Sequence, residues 1–181
     1  MNADSVLPHR HAPGARTPHD DVPLPKRRGR AGATLHGVGA VTAVLLVLAA
    51  IGAAIGEPVL IPSLAASAGV LHSTPTLPTA QPRSVVVAHL LGAGAGYVVL
   101  ALWQSSPWSA ALAGGLTFAA TTLARTPHSP ACATAVVVVL QAPAPARFVP
   151  LLLGATVVLV LAGFAASRVR REAARYPVRW W

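Results

Sequence analysis

The sequence predicts an all-α fold, a polytopic membrane helix bundle of two related halves, each with a full span, a short broken or re-entrant segment and a second full span. Composition is the first observation behind this. Of 181 residues, 54% are hydrophobic and only 10% are charged, and the mean hydropathy of +0.58 is too high for an ordinary soluble domain. The second is a set of long apolar runs. The third is a pair of short apolar segments, residues 59–71 and 131–140, set between those runs and interrupted or opened by Pro62 and Pro130. In membrane proteins built from repeats, such broken segments at corresponding positions point to a substrate site.

Residues 1–33 are rich in Pro, Arg, His and Gly and lack apolar periodicity, so a disordered cytoplasmic tail is expected. The polar stretch is too long, and the apolar run after it too long, for a cleaved signal peptide; an uncleaved first span fits better. Lys26-Arg27-Arg28-Gly29-Arg30 directly before that run reads as a topology signal that also touches anionic lipid. The net charge of +9 comes largely from the two tails and does not indicate nucleic-acid binding. His9, His11 and His19 are scattered imidazoles in that tail, and no metal site is expected from them.

The membrane domain is expected at 34–168, with halves 34–106 and 107–168. Crossing the hydrocarbon core takes about 20 apolar residues at about 1.5 Å of rise each. Residues 35–56, 84–103 and 148–166 meet this, and 107–124 does so with Pro107 tolerated in a first helical turn. Trp103 and Trp108 bracket a tight polar connection, as interfacial aromatics do. Residues 169–181 form a second basic cytoplasmic tail.

The short segments are either re-entrant half-helices or short tilted crossings, because irregular backbone at membrane depth needs protein or water around it. That leaves four or six crossings. Arginines precede the first span and follow the last, so both termini are placed in the cytoplasm, and both counts satisfy this. With four crossings Arg83, Arg125 and Arg147 lie outside. With six, Arg83 and Arg125 become cytoplasmic and the halves form an inverted pair. The halves also match weakly: Ala66-Ser67-Ala68 aligns with Ala133-Thr134-Ala135, and Leu90-Leu91-Gly92-Ala93 with Leu152-Leu153-Gly154-Ala155.

Few residues in the apolar region can do chemistry. Glu57 is its only acid, which argues against a cation pathway and leaves an anion or a neutral solute. No paired carboxylates, metal-ligand cluster or activated nucleophile supports an enzyme, and no cofactor is implied. The single Cys132 has no disulfide partner. Donor groups gather instead at the broken segments. Arg125, His128 and Ser129 precede the second, with Thr134 one turn inside it, where a half-helix N-terminus would favour an anion. Ser63 and Ser67 lie in the first, followed by Arg83 and by His89, whose depth in an apolar run makes it a functional candidate. Gly92 and Gly96 form a Gly-x-x-x-Gly face that serves internal packing, homo-oligomers or a partner subunit equally.

The order of a Ser/Ala-rich short segment, then Gln81-Pro82-Arg83-Ser84-Val85-Val86-Val87-Ala88-His89-Leu90-Leu91, then Arg125-Thr126-Pro127-His128-Ser129-Pro130-Ala131-Cys132, resembles the HPP family of integral membrane proteins. That family carries a His-Pro-Pro motif and is usually described with four spans. His128 and Pro130 match its first and third residues, and Ser129 stands in place of the central proline. The resemblance implies a membrane family of which some members are associated with nitrite transport. A transporter of a small monovalent anion such as nitrite is therefore the expected function, with Ser67, Arg83, His89, Arg125, His128, Ser129 and Thr134 as the binding residues. The rival expectation is a membrane scaffold or accessory subunit. The Ala, Arg and Pro bias is of bacterial type, so the plasma membrane is the expected location.

Overall fold

The computed structural model describes residues 27–169 and 175–180. These residues form six α-helices: α1 (Arg27–Ile55), α2 (Pro62–Ser73), α3 (Pro82–Leu102), α4 (Pro107–Leu123), α5 (Pro130–Gln141) and α6 (Pro145–Val169). A 3-10 turn, Pro78–Ala80, links α2 to α3. Helix α1 begins inside the segment expected to be disordered, so the helical boundary moves from 34 to Arg27. The disorder expected of residues 1–26 lies outside the described residues.

Helices α2 to α6 all open on proline. Its fixed φ suits a first turn, and its missing N–H would have had no intrahelical partner there. At α4 a capping box is added: Ser106 Oγ accepts from the Ser109 amide, and the Ser109 side chain accepts from the Ser106 amide. Each half thus runs long, short, long, and α2 and α5 both have 12 residues.

Among the described residues, three helices are long and apolar enough to cross a membrane, over Gly32–Ile55, Pro82–Leu102 and Pro145–Val169. Helix α4, read from sequence as a fourth plain span, has 17 residues and falls just short of that length. Leu46, Trp108, Phe118, Leu123 and Leu161 are exposed on the outside of the bundle, a surface suited to hydrocarbon and costly in water.

Side-chain bonds sort the helix ends into two groups. At one end, His36 Nε2 donates to the Ala166 carbonyl (3.2 Å), joining the start of α1 to the end of α6. Arg83 donates to the Ala124 carbonyl (3.3 Å), joining the start of α3 to the end of α4. At the other, Tyr97 donates to the Pro143 carbonyl (3.1 Å), and Arg147 pairs with Glu57 at 3.2 Å. Inside, α3 packs on α4, α5 and α6, while α2 packs on α1, α5 and α6. Leu48, Leu64, Leu71, Val85 and Leu159 fill the larger core, and Val99, Ala110, Ala113, Ala135 and Val139 form a second, smaller one.

The described tail residues return to the bundle. Tyr176 is buried, its ring 3.1 Å from where a side chain on Gly163 would start. The amides of Val178 and Arg179 donate to Gln81 Oε1 at 2.9 and 3.1 Å.

Candidate functional site

The two short helices meet, and their polar side chains meet with them. Pro62 starts α2 so that Ser63 and Ser67, one turn apart, share a face. Pro130 starts α5 so that Thr134 lies one turn in. His89 reaches the same place from α3, and His128 from the turn before α5. All five are buried, Ser63, Ser67, His89 and Thr134 completely.

Ser67 Oγ is the hub. It lies 2.8 Å from the Ser63 carbonyl oxygen, from His89 Nε2 and from His128 Nε2. His89 Nδ1 is 2.7 Å from Thr134 Oγ1, whose hydroxyl bonds Ser63 Oγ at 2.9 Å. His128 Nδ1 donates to the Thr79 carbonyl at 2.7 Å. The two imidazoles pack edge to face, with centroids 5.2 Å apart.

Proton counting gives this cluster its chemical character. Three hydroxyls and two neutral imidazoles supply five protons, enough for every contact but that of Ser67 Oγ with the Ser63 carbonyl one turn back, an optional back-bond within α2. The Thr79 carbonyl can only accept, so His128 Nδ1 carries a proton. The Ser67 hydroxyl then has a single proton for two acceptors, the Ser63 carbonyl and His128 Nε2. One further proton on His128 lets every contact be a hydrogen bond. The group then carries a positive charge in a buried place, which is costly unless an anion accompanies it.

A tight seam seats α5 against the cluster. A Cβ on Gly92 would fall 2.4 Å from the Ala131 carbonyl oxygen, and one on Gly96 would fall 2.7 Å from Val138 Cβ. Only glycine allows this approach of α3 to α5. The Gly-x-x-x-Gly face therefore packs within the chain.

Four of the seven residues expected at the site converge: Ser67, His89, His128 and Thr134. Arg83, Arg125 and Ser129 stay at the surface. The cause at Arg125 is local. Helix α4 ends in a Schellman turn, with Thr126 N bonded to Thr121 O and Arg125 N to Thr122 O. Arg125 fills the left-handed position at φ 53° that usually takes glycine. Ser129 adopts right-handed helical angles and makes no cap bond. The amides of Ala131 and Cys132 pair with the His128 and Ser129 carbonyls, so the first turn of α5 does not offer them to an anion as the sequence reading expected. The Ser63 hydroxyl and the Thr79 carbonyl complete the cluster; a backbone acceptor carries no signal in sequence.

Two transmembrane proteins of Dictyostelium discoideum are similar to this chain. One is 34% identical over 132 residues, covering 68% of this chain and 46% of its own length. Another is 32% identical over 131 residues, covering 67% and 42%. The chain thus spans less than half the length of these curated relatives. No solved structure matches it. The model of the HPP transmembrane region matches residues 25–177, which takes in all six helices and the histidine cluster. On that match, the chain belongs to the HPP family of integral membrane proteins.

Proposed function

We propose that this protein moves a small monovalent anion, nitrite-like in size and charge, across the membrane together with one proton. The observation that carries the reading is the buried Ser–His–Thr cluster, in which two imidazoles meet one serine hydroxyl, at the meeting of two short helices. An anion displacing the contacts of Ser67 binds the cluster best when His128 is doubly protonated, because the two charges then cancel out of water. Bound alone, either charge is disfavoured. That difference couples the two.

The topology we propose has six crossings. The start of α1, the end of α6, the start of α3 and the end of α4 share one end of the bundle. Arg83, Arg125, Arg168 and Arg179 fall at that end, which the positive-inside rule makes cytoplasmic. The halves are then an inverted pair with the cluster between them. At the opposite end a cavity of about 210 Å³, lined by Glu57, Ile61, Leu64 and Arg147 among others, reaches the residue next to Ser63. Arg83 and Arg125 draw anions toward the cytoplasmic side.

Uptake into vesicles holding the purified protein tests this, with nitrite, nitrate, formate and chloride compared against protein-free vesicles. Saturable uptake of one anion, faster with an acidic exterior and lost in His128→Ala, is the expected result. Normal uptake by that variant removes the histidine from the mechanism. No uptake by folded, inserted protein favours an accessory subunit.

A further inference from the structure

Glu57 and Arg147 meet at the pocket of about 210 Å³ that lies where α1 stops and α6 starts. Both backbones are fixed. Glu57 N donates to the Gly52 carbonyl at 3.0 Å, and Val59 N to the Glu57 carbonyl at 2.9 Å. A Cβ on Gly52 would fall 2.7 Å from that same Glu57 oxygen, so the connection lies close against α1. Tyr97 holds the Pro143 carbonyl, and the amides of Arg147 and Phe148 bond the Ala144 carbonyl. The two side chains are joined far more loosely. One contact ties Arg147 Nη1 to Glu57 Oε1 at 3.2 Å, with the arginine side chain 77% exposed. A guanidinium carries five donors in a planar fork, and an exposed pair of this kind adds little stability. The carboxylate is thus a tethered anion that a free one can replace. Every other lining residue is apolar, and one of them, buried Leu64, directly follows Ser63 of the cluster.

We propose that this pocket receives the anion before it reaches the cluster, and that Arg147 there exchanges the Glu57 carboxylate for a free planar oxyanion. The site rests on the transport reading for its purpose, and it narrows the substrate class. What displaces a carboxylate from a guanidinium fork does so best with two oxygens in one plane, as nitrite, nitrate and formate have. A spherical chloride meets the fork at one point. The apolar walls keep the local dielectric low, which sharpens that difference. With no anion present, Glu57 keeps the arginine paired. Glu57 is therefore a competitor, and its removal tightens binding; a residue that only held the connection in place would not have that sign.

Calorimetric titration of the full chain in detergent with sodium nitrite, formate and chloride, at constant ionic strength, reads the site without transport. Nitrite and formate are expected to bind, and chloride roughly tenfold more weakly. Arg147→Gln should weaken nitrite by roughly tenfold, Arg147→Lys by less, and Glu57→Gln should tighten it by roughly threefold. That gain should vanish when Arg147→Gln is also present. An equal gain in both backgrounds means a general charge effect and overturns the exchange, as does chloride binding as tightly as nitrite, or no binding by any of the three. Initial uptake rates in vesicles then separate the two readings. Arg147→Gln should raise KM more than it changes kcat. Uptake that needs His128 but keeps the parent KM in Arg147→Gln overturns this site and leaves the transport reading standing. Binding at Arg147 with no uptake overturns the transport reading and leaves the site.

Discussion

Helix α5 is held on two sides by opposite means. Toward α3 it lies in a dry seam where Gly92 and Gly96 let the Ala131 carbonyl and Val138 approach closely. Toward α2 it meets hydroxyls and imidazoles that bond one another at 2.7 to 2.9 Å. The seam has one arrangement, because displacing α5 opens a gap or makes a clash. The cluster has several, because protons and hydroxyl rotors can be redistributed without moving backbone. A rigid mount beside a rearrangeable polar group is what a site needs if it is to change charge without losing its shape.

The seam should break hardest. Gly92→Val places side-chain atoms against the Ala131 carbonyl and is expected to cost about 3 kcal/mol, seen as a large fall in thermal midpoint in detergent. Gly94→Ala, with open space at the same helix's outer side, should leave the midpoint unchanged. A tolerant Gly92→Val would mean that α3 and α5 are not locked. His89→Ala removes one partner each from Ser67 and Thr134; a loss of about 2 kcal/mol and of all anion uptake is expected. Thr134→Val keeps the shape and removes one hydroxyl. It should cost about 1 kcal/mol and slow uptake while sparing the seam, so a variant with full transport would place the proton path elsewhere. Breaking the exposed Arg147–Glu57 pair with Arg147→Gln should change stability by about 0.5 kcal/mol or less, less still in high salt.

Sequence made the two short helices legible because proline and shortness both survive in a linear string. The alignment of Ser67 with Thr134 across the halves also held a spatial fact, since both side chains enter one cluster. His89 was legible for an energetic reason: an imidazole deep in an apolar run has to find polar company. Arg125 was misleading. Closeness in sequence to His128 could not reveal that a left-handed turn separates their directions. Helix α4, read as a fourth plain span over 107–124, runs from Pro107 to Leu123 and at 17 residues is shorter than α1, α3 and α6. The meeting of two imidazoles on the Ser67 hydroxyl belongs to contacts among separate segments, so no single stretch of sequence could announce it.

If the cluster carries the proton, its links must reset. A proton passed from His128 through Ser67 and His89 to Thr134 and Ser63 leaves each link pointing the opposite way. The hydroxyls then have to turn and His89 has to exchange its tautomer before a second proton follows, so the turning step, and not the first hop, would set the pace.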